Sequence, residues 1–300
     1  MEEMIYRQTR LAPTPSGFLH LGNVLSFAVT ACLAERSGAG ILLRIDDMDR
    51  ERVQAEYIQD IFDTVAFLGI PFDKGPDNIT SFETLFSQRH RMALYEDALT
   101  ELKNMNAVFA CTCSRTQIAT DGTDGAYPGT CRHKHIPLET PGVAWRIYTD
   151  ERTLSIKGIT GTETFRPLPK DMTDFIVRKK DGYPAYQLTS LMDDLFWNVD
   201  LIVRGHDLLP STLAQLFLAN ILKRQSFSDA AFFHHVLLTS SDGNKFSKSA
   251  GASSVRFMKK EGRTAEEIYT RIGELLGMKK AVKDWKTLGE GIMDLYHGAG

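Results

Sequence analysis

Four cysteines among 300 residues are too few for a disulfide scaffold, and three of them, Cys111, Cys113 and Cys131, cluster. That excludes the small cross-linked secreted class and points to a reducing, cytoplasmic setting with a metal site. No apolar run approaches the ~20 residues that a membrane helix requires, so no membrane partner is expected. The chain also lacks a positive excess. Its formal net charge is -3, so a nucleic-acid partner would have to use a local basic face. There is no internal repeat and no low-complexity tract. The opening Met1-Glu2-Glu3-Met4 is acidic, unlike a signal peptide. What remains is the composition of a globular protein, 43% hydrophobic and 24% charged, long enough for a sizeable core and two lobes.

The hydrophobic pattern predicts an α/β chain. Tyr6 to Ala12 reads as a strand ended by Pro13 and Pro15, which cannot continue a ladder. Val24, Leu25, Ala28, Ala31 and Cys32 recur at helical spacing, and Ser37-Gly38-Ala39-Gly40 stops that helix. Ile41 to Ile45 reads as a buried second strand. Strand, helix, strand is a βαβ unit and implies a parallel sheet. Two helices follow, on Tyr57, Ile61, Val65 and Leu68 and on Met92, Tyr95, Leu99 and Leu102. From Val108 to about Trp145, cysteine, glycine, proline and histidine replace the periodic apolar residues, which predicts an inserted module continuing to about Tyr183. The α/β rhythm returns near Leu188. Phe232 to Leu238 reads as a last core strand, and Thr264-Ala265-Glu266-Glu267 is a capping box before a helical tail.

Three constellations carry chemistry. His20 and Gly22 stand where the first helix begins. There unpaired N–H groups and a positive dipole end attract phosphate, and a residue without a side chain admits a nucleotide. Lys245 and Lys248 follow the turn cluster Ser241-Asp242-Gly243-Asn244, and two ammonium groups on one loop can neutralise a departing pyrophosphate. Three thiolates in a loop-rich stretch suit tetrahedral zinc, for which chemistry alone nominates His133 or His135 as fourth ligand.

The run Arg10-Leu11-Ala12-Pro13-Thr14-Pro15-Ser16-Gly17-Phe18-Leu19-His20-Leu21-Gly22 resembles the R-F-A-P-S-P-T-G-x-L-H-I-G pattern of glutamyl- and glutaminyl-type class I aminoacyl-tRNA synthetases. Lys245-Phe246-Ser247-Lys248-Ser249 resembles their KMSKS signature, with Phe246 in place of Met or Leu. Leu43-Arg44-Ile45-Asp46-Asp47-Met48-Asp49 is similar to their L-R-I-E-D-T-D segment. The resemblance implies a Rossmann-type parallel-sheet catalytic domain over 1–107 and 184–249, an inserted zinc-containing α+β module over 108–183, and a small helical lobe over 250–300. It implies catalysis by His20, Lys245 and Lys248, and ATP binding by His20, Gly22, Asn23 and Lys248. L-glutamate would be held by Arg10, Leu11, Ala12, Pro13, Thr14, Asp46, Tyr186 and Arg204. Two arginines favour an anionic substrate side chain over an amide. Asp46 stands where bacterial glutamyl enzymes have Glu and glutaminyl enzymes have Asp.

The cysteine spacing, with Tyr127 four residues before Cys131, is similar to the zinc site of glutamyl-queuosine tRNA(Asp) synthetases. That favours Tyr127 over either histidine beside Cys111, Cys113 and Cys131. About fifty residues follow Ser249, too few for the anticodon-binding domain of a full glutamyl-tRNA synthetase. The resemblance therefore implies a monomer that uses ATP, Mg²⁺ and Zn²⁺. Its acceptor would be queuosine in the anticodon stem-loop of tRNA(Asp). Another acceptor, glutamine as substrate, or a catalytically silent RNA-binding paralogue are the competing expectations.

Overall fold

A computed structural model describes residues 5–121, 126–238 and 254–297. One-turn helices aside, the chain runs β1 (Gln8–Leu11), α1 (Leu21–Ser37), β2 (Gly40–Leu43), α2 (Ala55–Phe67), α3 (Met92–Asn104), β3 (Val108–Cys111), α4 (Arg115–Asp121), β4 (Ala144–Ile147), β5 (Thr153–Gly158), β6 (Glu163–Pro167) and β7 (Ile176–Arg178). It continues with α5 (Tyr186–Phe196), β8 (Leu201–Gly205), α6 (Leu209–Ile221), β9 (Ala231–His235), α7 (Val255–Lys260), α8 (Ala265–Leu275) and α9 (Trp285–His297). No helix among the described residues is long and apolar enough to cross a membrane.

The described residues of Met1–His90, Leu201–Asp207 and Phe232–Gly300 form one compact unit. Its β1 and β2 pair in parallel, from Gln8 opposite Gly40 to Leu11 opposite Leu43. The connection between them is α1, which ends where Gly38 takes a left-handed φ of 73° and returns its N–H to the Ala34 carbonyl. β8 lies against β1, and β9 is hydrogen-bonded beside β8. β2 stops at Leu43, two residues short of the Ile45 read from sequence. Beyond it the Arg44 N–H still reaches the Leu11 carbonyl, but the chain then turns toward Pro13.

α1 is buried around most of its circumference, from Leu21 and Val24 through Ala34. A helix of that kind needs cover on two sides. One side faces β1 and β8 and the other is covered by α9. The contact with α9 is close: a Cβ at Gly289 would lie 2.2 Å from the Cys32 Cβ and 3.2 Å from the Ala28 carbonyl oxygen. Burial pushes the Cys32 thiol up to about 11, so it is an inert core group. The Tyr269 hydroxyl of α8 donates to the Leu68 carbonyl at 2.9 Å. The tail helices are thus part of this unit rather than a lobe of their own. The Thr264–Glu267 capping box is formed as its sequence predicts.

The described residues of Arg91–Asp200 and Leu208–Ala231 form the second unit. It holds an antiparallel sheet ordered β3-β4-β7 and the β5–β6 hairpin. Buried Asp193 on α5 accepts the Arg91 fork at 2.7 and 3.1 Å and the Tyr95 hydroxyl at 2.6 Å. Removing one member would strand the others without water. The compact units divide the chain near 90, 200, 207 and 231.

Intrinsic helix propensity alone would make Gly289→Ala stabilising by about 1 kcal/mol. The contact with Cys32 reverses the sign, and chemical denaturation is expected to show a net loss of about 1–3 kcal/mol.

Candidate active site

His20 is the N-cap of α1, with extended backbone at φ −122°, ψ 173°. Its Nδ1 accepts the Gly22 N–H at 3.1 Å, and Asn23 Oδ1 accepts the His20 N–H at 3.0 Å. This is a capping box built from histidine and asparagine. Because Nδ1 is an acceptor, the proton of the neutral ring sits on Nε2, the atom that can donate to a substrate oxygen. A Cβ at Gly22 would lie 2.9 Å from the His20 Cε1, so the imidazole rests over a position that only glycine fills without displacement.

The peptide before His20 is held at both ends. The buried Asp60 carboxylate of α2 accepts the Leu19 N–H at 2.8 Å, and Val255 donates its N–H to the Leu19 carbonyl at 2.8 Å. Burial pushes the Asp60 carboxyl up, opposed by the Leu19 N–H and by Arg256. Ser254 forms a β-bridge with His20. Arg256 lies 4.5 Å over the Phe18 ring and pairs with Glu56 on α2. Lys245 and Lys248 lie outside the described residues. Five residues, six Cα steps, lie between Lys248 and Ser254, a covalent reach of at most ~22 Å.

The carboxyl ends of the strands gather most of the other expected residues. Arg10, 4% exposed, donates Nη1 to the Val203 carbonyl at 3.2 Å, beside Arg204, which is 3% exposed. Leu11 and Pro13 are buried, Ala12 is half-buried and Thr14 is exposed. The Asp46 N–H reaches the Pro13 carbonyl at 3.0 Å, which brings the end of β2 to the segment after β1. Both Asp46 oxygens accept the Arg44 fork, at 2.7 and 2.9 Å, in a buried ion pair. A carboxylate offers about four lone-pair sites, so this fork orients Asp46 and leaves it able to accept from a ligand ammonium. Burial brings His234 down to about 3, aided by Arg204 and His206, so at neutral pH it adds no charge beside Arg204. Tyr186 belongs to the second unit, at the start of α5.

The cysteine cluster also lies in the second unit. The sulfurs of Cys111, Cys113 and Cys131 are all within 4.8 Å of one another, and Cys113 and Cys131 are 3.6 Å apart. The Tyr127 hydroxyl lies 3.5 Å from the Cys111 sulfur and accepts the Cys131 N–H at 2.8 Å. Four donors at about 2.0–2.3 Å from zinc would stand roughly 3.6–3.8 Å apart. His133 and His135 are exposed and stand outside the cluster. Burial pushes the Cys113 thiol up to about 11. Burial acts the same way on Cys131, but the Thr112 N–H and its other hydrogen bonds outweigh it and bring that thiol to about 7.

Residues 7–130 and 159–290 match the model of class I tRNA synthetases (E and Q), catalytic domain. The chain belongs to that family.

It is accordingly a ligase. It is 33% identical over 285 residues to the glutamyl-Q tRNA(Asp) synthetase of Symbiobacterium thermophilum, covering 90% of this chain and 86% of that one. It is 35% identical over 241 residues to the protein of that name from Pseudomonas entomophila, covering 80% and 76%. Against glutamate–tRNA ligase 2 of Acidithiobacillus ferrooxidans the identity is 31%, over 89% of this chain and 58% of the relative. Among solved structures, a glutamate tRNA ligase from Elizabethkingia meningosepticum superposes with a TM-score of 0.74 at 20% identity, covering 95% of this chain and 64% of its own. That likeness speaks to the fold.

Sequence reading alone missed the residues that hold this synthetase site in place. Asp60 shares the apolar face of α2 with Tyr57, Ile61 and Thr64, and a carboxylate on such a face was the available signal. Asp47, adjacent to Asp46, is fully buried and holds Arg50, Ser87 and the Gln88 N–H. α7 was also missed; its cue was Ser254, whose Oγ caps the Phe257 N–H.

Arg44→Met would strand the Asp46 carboxylate in a buried site. Denaturant titration is expected to show a loss of about 3–5 kcal/mol, and a loss below about 1 kcal/mol would contradict the pairing argument.

Proposed function

We propose that this ligase activates L-glutamate with ATP to glutamyl-adenylate and transfers glutamate to queuosine in the anticodon of tRNA(Asp). The observation that carries the reading is the convergence of Arg10, the Asp46 segment, Val203–Arg204 and the His20 cap in one unit at the strand ends, where open α/β sheets take ligands. The printed name shared by the Symbiobacterium and Pseudomonas relatives supports the choice of acceptor.

In the first step a glutamate carboxylate oxygen attacks the α-phosphorus of ATP in line. The bond to the bridging oxygen breaks, and pyrophosphate leaves with the electron pair. His20 Nε2–H donates to a phosphate oxygen as charge accumulates, and Lys245 and Lys248 neutralise the departing pyrophosphate. Gly22 and Asn23 let the nucleotide approach the first turn of α1. Asp46 accepts from the substrate ammonium. Arg10 and Arg204 take the side-chain carboxylate, with the Leu11 to Thr14 backbone as a wall. An amide in that place would leave a buried guanidinium under-paired, which favours glutamate over glutamine. Mg²⁺ on the phosphates would add charge neutralisation. In the second step the acceptor hydroxyl attacks the activated carbonyl carbon, AMP leaves with the anhydride oxygen, and the hydroxyl proton is released. No covalent enzyme intermediate is needed.

Cys111, Cys113, Cys131 and Tyr127 would hold Zn²⁺ as a closed tetrahedral set with no position for substrate, a structural role. Elemental analysis is expected to find about one zinc per chain. Cys131→Ser should reduce it severalfold and lower the melting temperature. Stoichiometric zinc in that variant would remove Cys131 from the set.

The decisive assay uses ATP, labelled glutamate and tRNA(Asp) with or without queuosine. Label should enter only the queuosine-containing RNA. Equal labelling of queuosine-free RNA would favour a glutamyl-type enzyme with another acceptor. Absence of pyrophosphate exchange with any amino acid would favour a silent paralogue.

A further inference from the structure

A cavity of about 320 Å³ lies wholly within the second unit. Tyr127, Arg146, Asp171, Phe175, Tyr186 and Gln187 are among its walls. That volume is at the lower end of the range of small-molecule sites and suits one planar ring system. Arg146 is the unusual member. It sits on β4, is 5% exposed, and gives Nη1 to the Asp174 carbonyl at 2.8 Å. Its guanidinium carbon lies 3.7 Å from the centre of the Tyr127 ring. Its Nε has no hydrogen-bond partner, and among the described residues no carboxylate forms an ion pair with it. A guanidinium buried in this way is costly unless something else accepts from it. Gln187 does not fill that need, because its amide already bonds Ser211 and Gln215. Across the same cavity Asp171 offers an exposed carboxylate, which accepts, and Tyr186, 42% exposed, offers an aromatic face.

We infer that this cavity receives one unstacked, guanine-type nucleobase of the acceptor RNA. The base carbonyl accepts from Arg146, the ring N–H and exocyclic amine donate to Asp171, and the ring plane lies against Tyr186. Donor, acceptor and aromatic face together are how single-stranded RNA bases are read. Arg146 and Asp171 would thus serve binding of the acceptor and not activation of glutamate. The inference rests on the reading that RNA is the acceptor.

The test compares wild type, Asp171→Ala and Arg146→Lys in glutamate-dependent ATP–pyrophosphate exchange and in transfer to queuosine-containing tRNA(Asp). Saturation-transfer NMR with GMP and CMP runs alongside, and melting temperatures check folding. Both variants are expected to keep exchange within about twofold while transfer kcat/KM falls by about tenfold or more, with wild type binding GMP in preference to CMP. Wild-type transfer in Asp171→Ala, an exposed position that does not threaten the fold, would overturn the inference. So would parallel loss of exchange and transfer in both variants. If wild type transfers glutamate to no RNA, the acceptor reading fails by itself. The NMR arm then decides, and absence of preferential GMP binding overturns the cavity assignment.

Discussion

The peptide bond between Leu19 and His20 is the point on which the catalytic arrangement hangs. Asp60 fixes its entry from α2, and Val255 fixes its carbonyl from a segment more than 230 residues further along. Ser254 extends that pairing to His20 itself. The imidazole is then turned by its own cap, with Nδ1 tied to Gly22 and Nε2 left as donor. A catalytic donor must be positioned before charge develops, since reorganisation during the reaction would cost what the hydrogen bond returns.

Charge around the strand ends follows a consistent pattern. Asp46 is neutralised and oriented by Arg44, and the neighbouring Asp47 is spent on Ser87, Gln88 and Arg50. Adjacent acids thus do different work: Asp47 holds the loop after β2, and Asp46 pairs with Arg44 while its N–H reaches the Pro13 carbonyl. Arg10 and Arg204 are buried cations near Val203, and His234 beside them is neutral. In the proposed reading such a site discriminates by charge, because an amide side chain would pair a buried guanidinium less well than a carboxylate.

The βαβ opening, the α1 boundaries and the tail capping box were legible in the sequence. They rest on local rules of periodicity, glycine termination and capping. The candidate residues on β1 and β8 and just after β2 were nominated by motif density. The supports were less legible. Asp60 gives one signal, a carboxylate on the apolar face of α2, but its Leu19 partner is visible only in the fold. The Arg91–Asp193–Tyr95 cluster joins residues about a hundred positions apart, which no short pattern records. The close fit of Gly289 on Cys32 is likewise a property of two helices packed together, and it is why the tail joins the first unit. Arg146 lies at the edge of the stretch where the periodic pattern fails, and its unpaired nitrogen is seen only in the folded structure.

The central claim is that one cradle at the strand ends of the first unit aligns glutamate and the α-phosphate of ATP. A crystal structure of the chain with a non-hydrolysable glutamyl-adenylate analogue tests it most directly. The account predicts the ligand ammonium on Asp46, its side-chain carboxylate between Arg10 and Arg204, and its phosphate-mimicking group at His20 Nε2. An analogue bound with its phosphate mimic away from His20, or with its carboxylate away from both arginines, would contradict it.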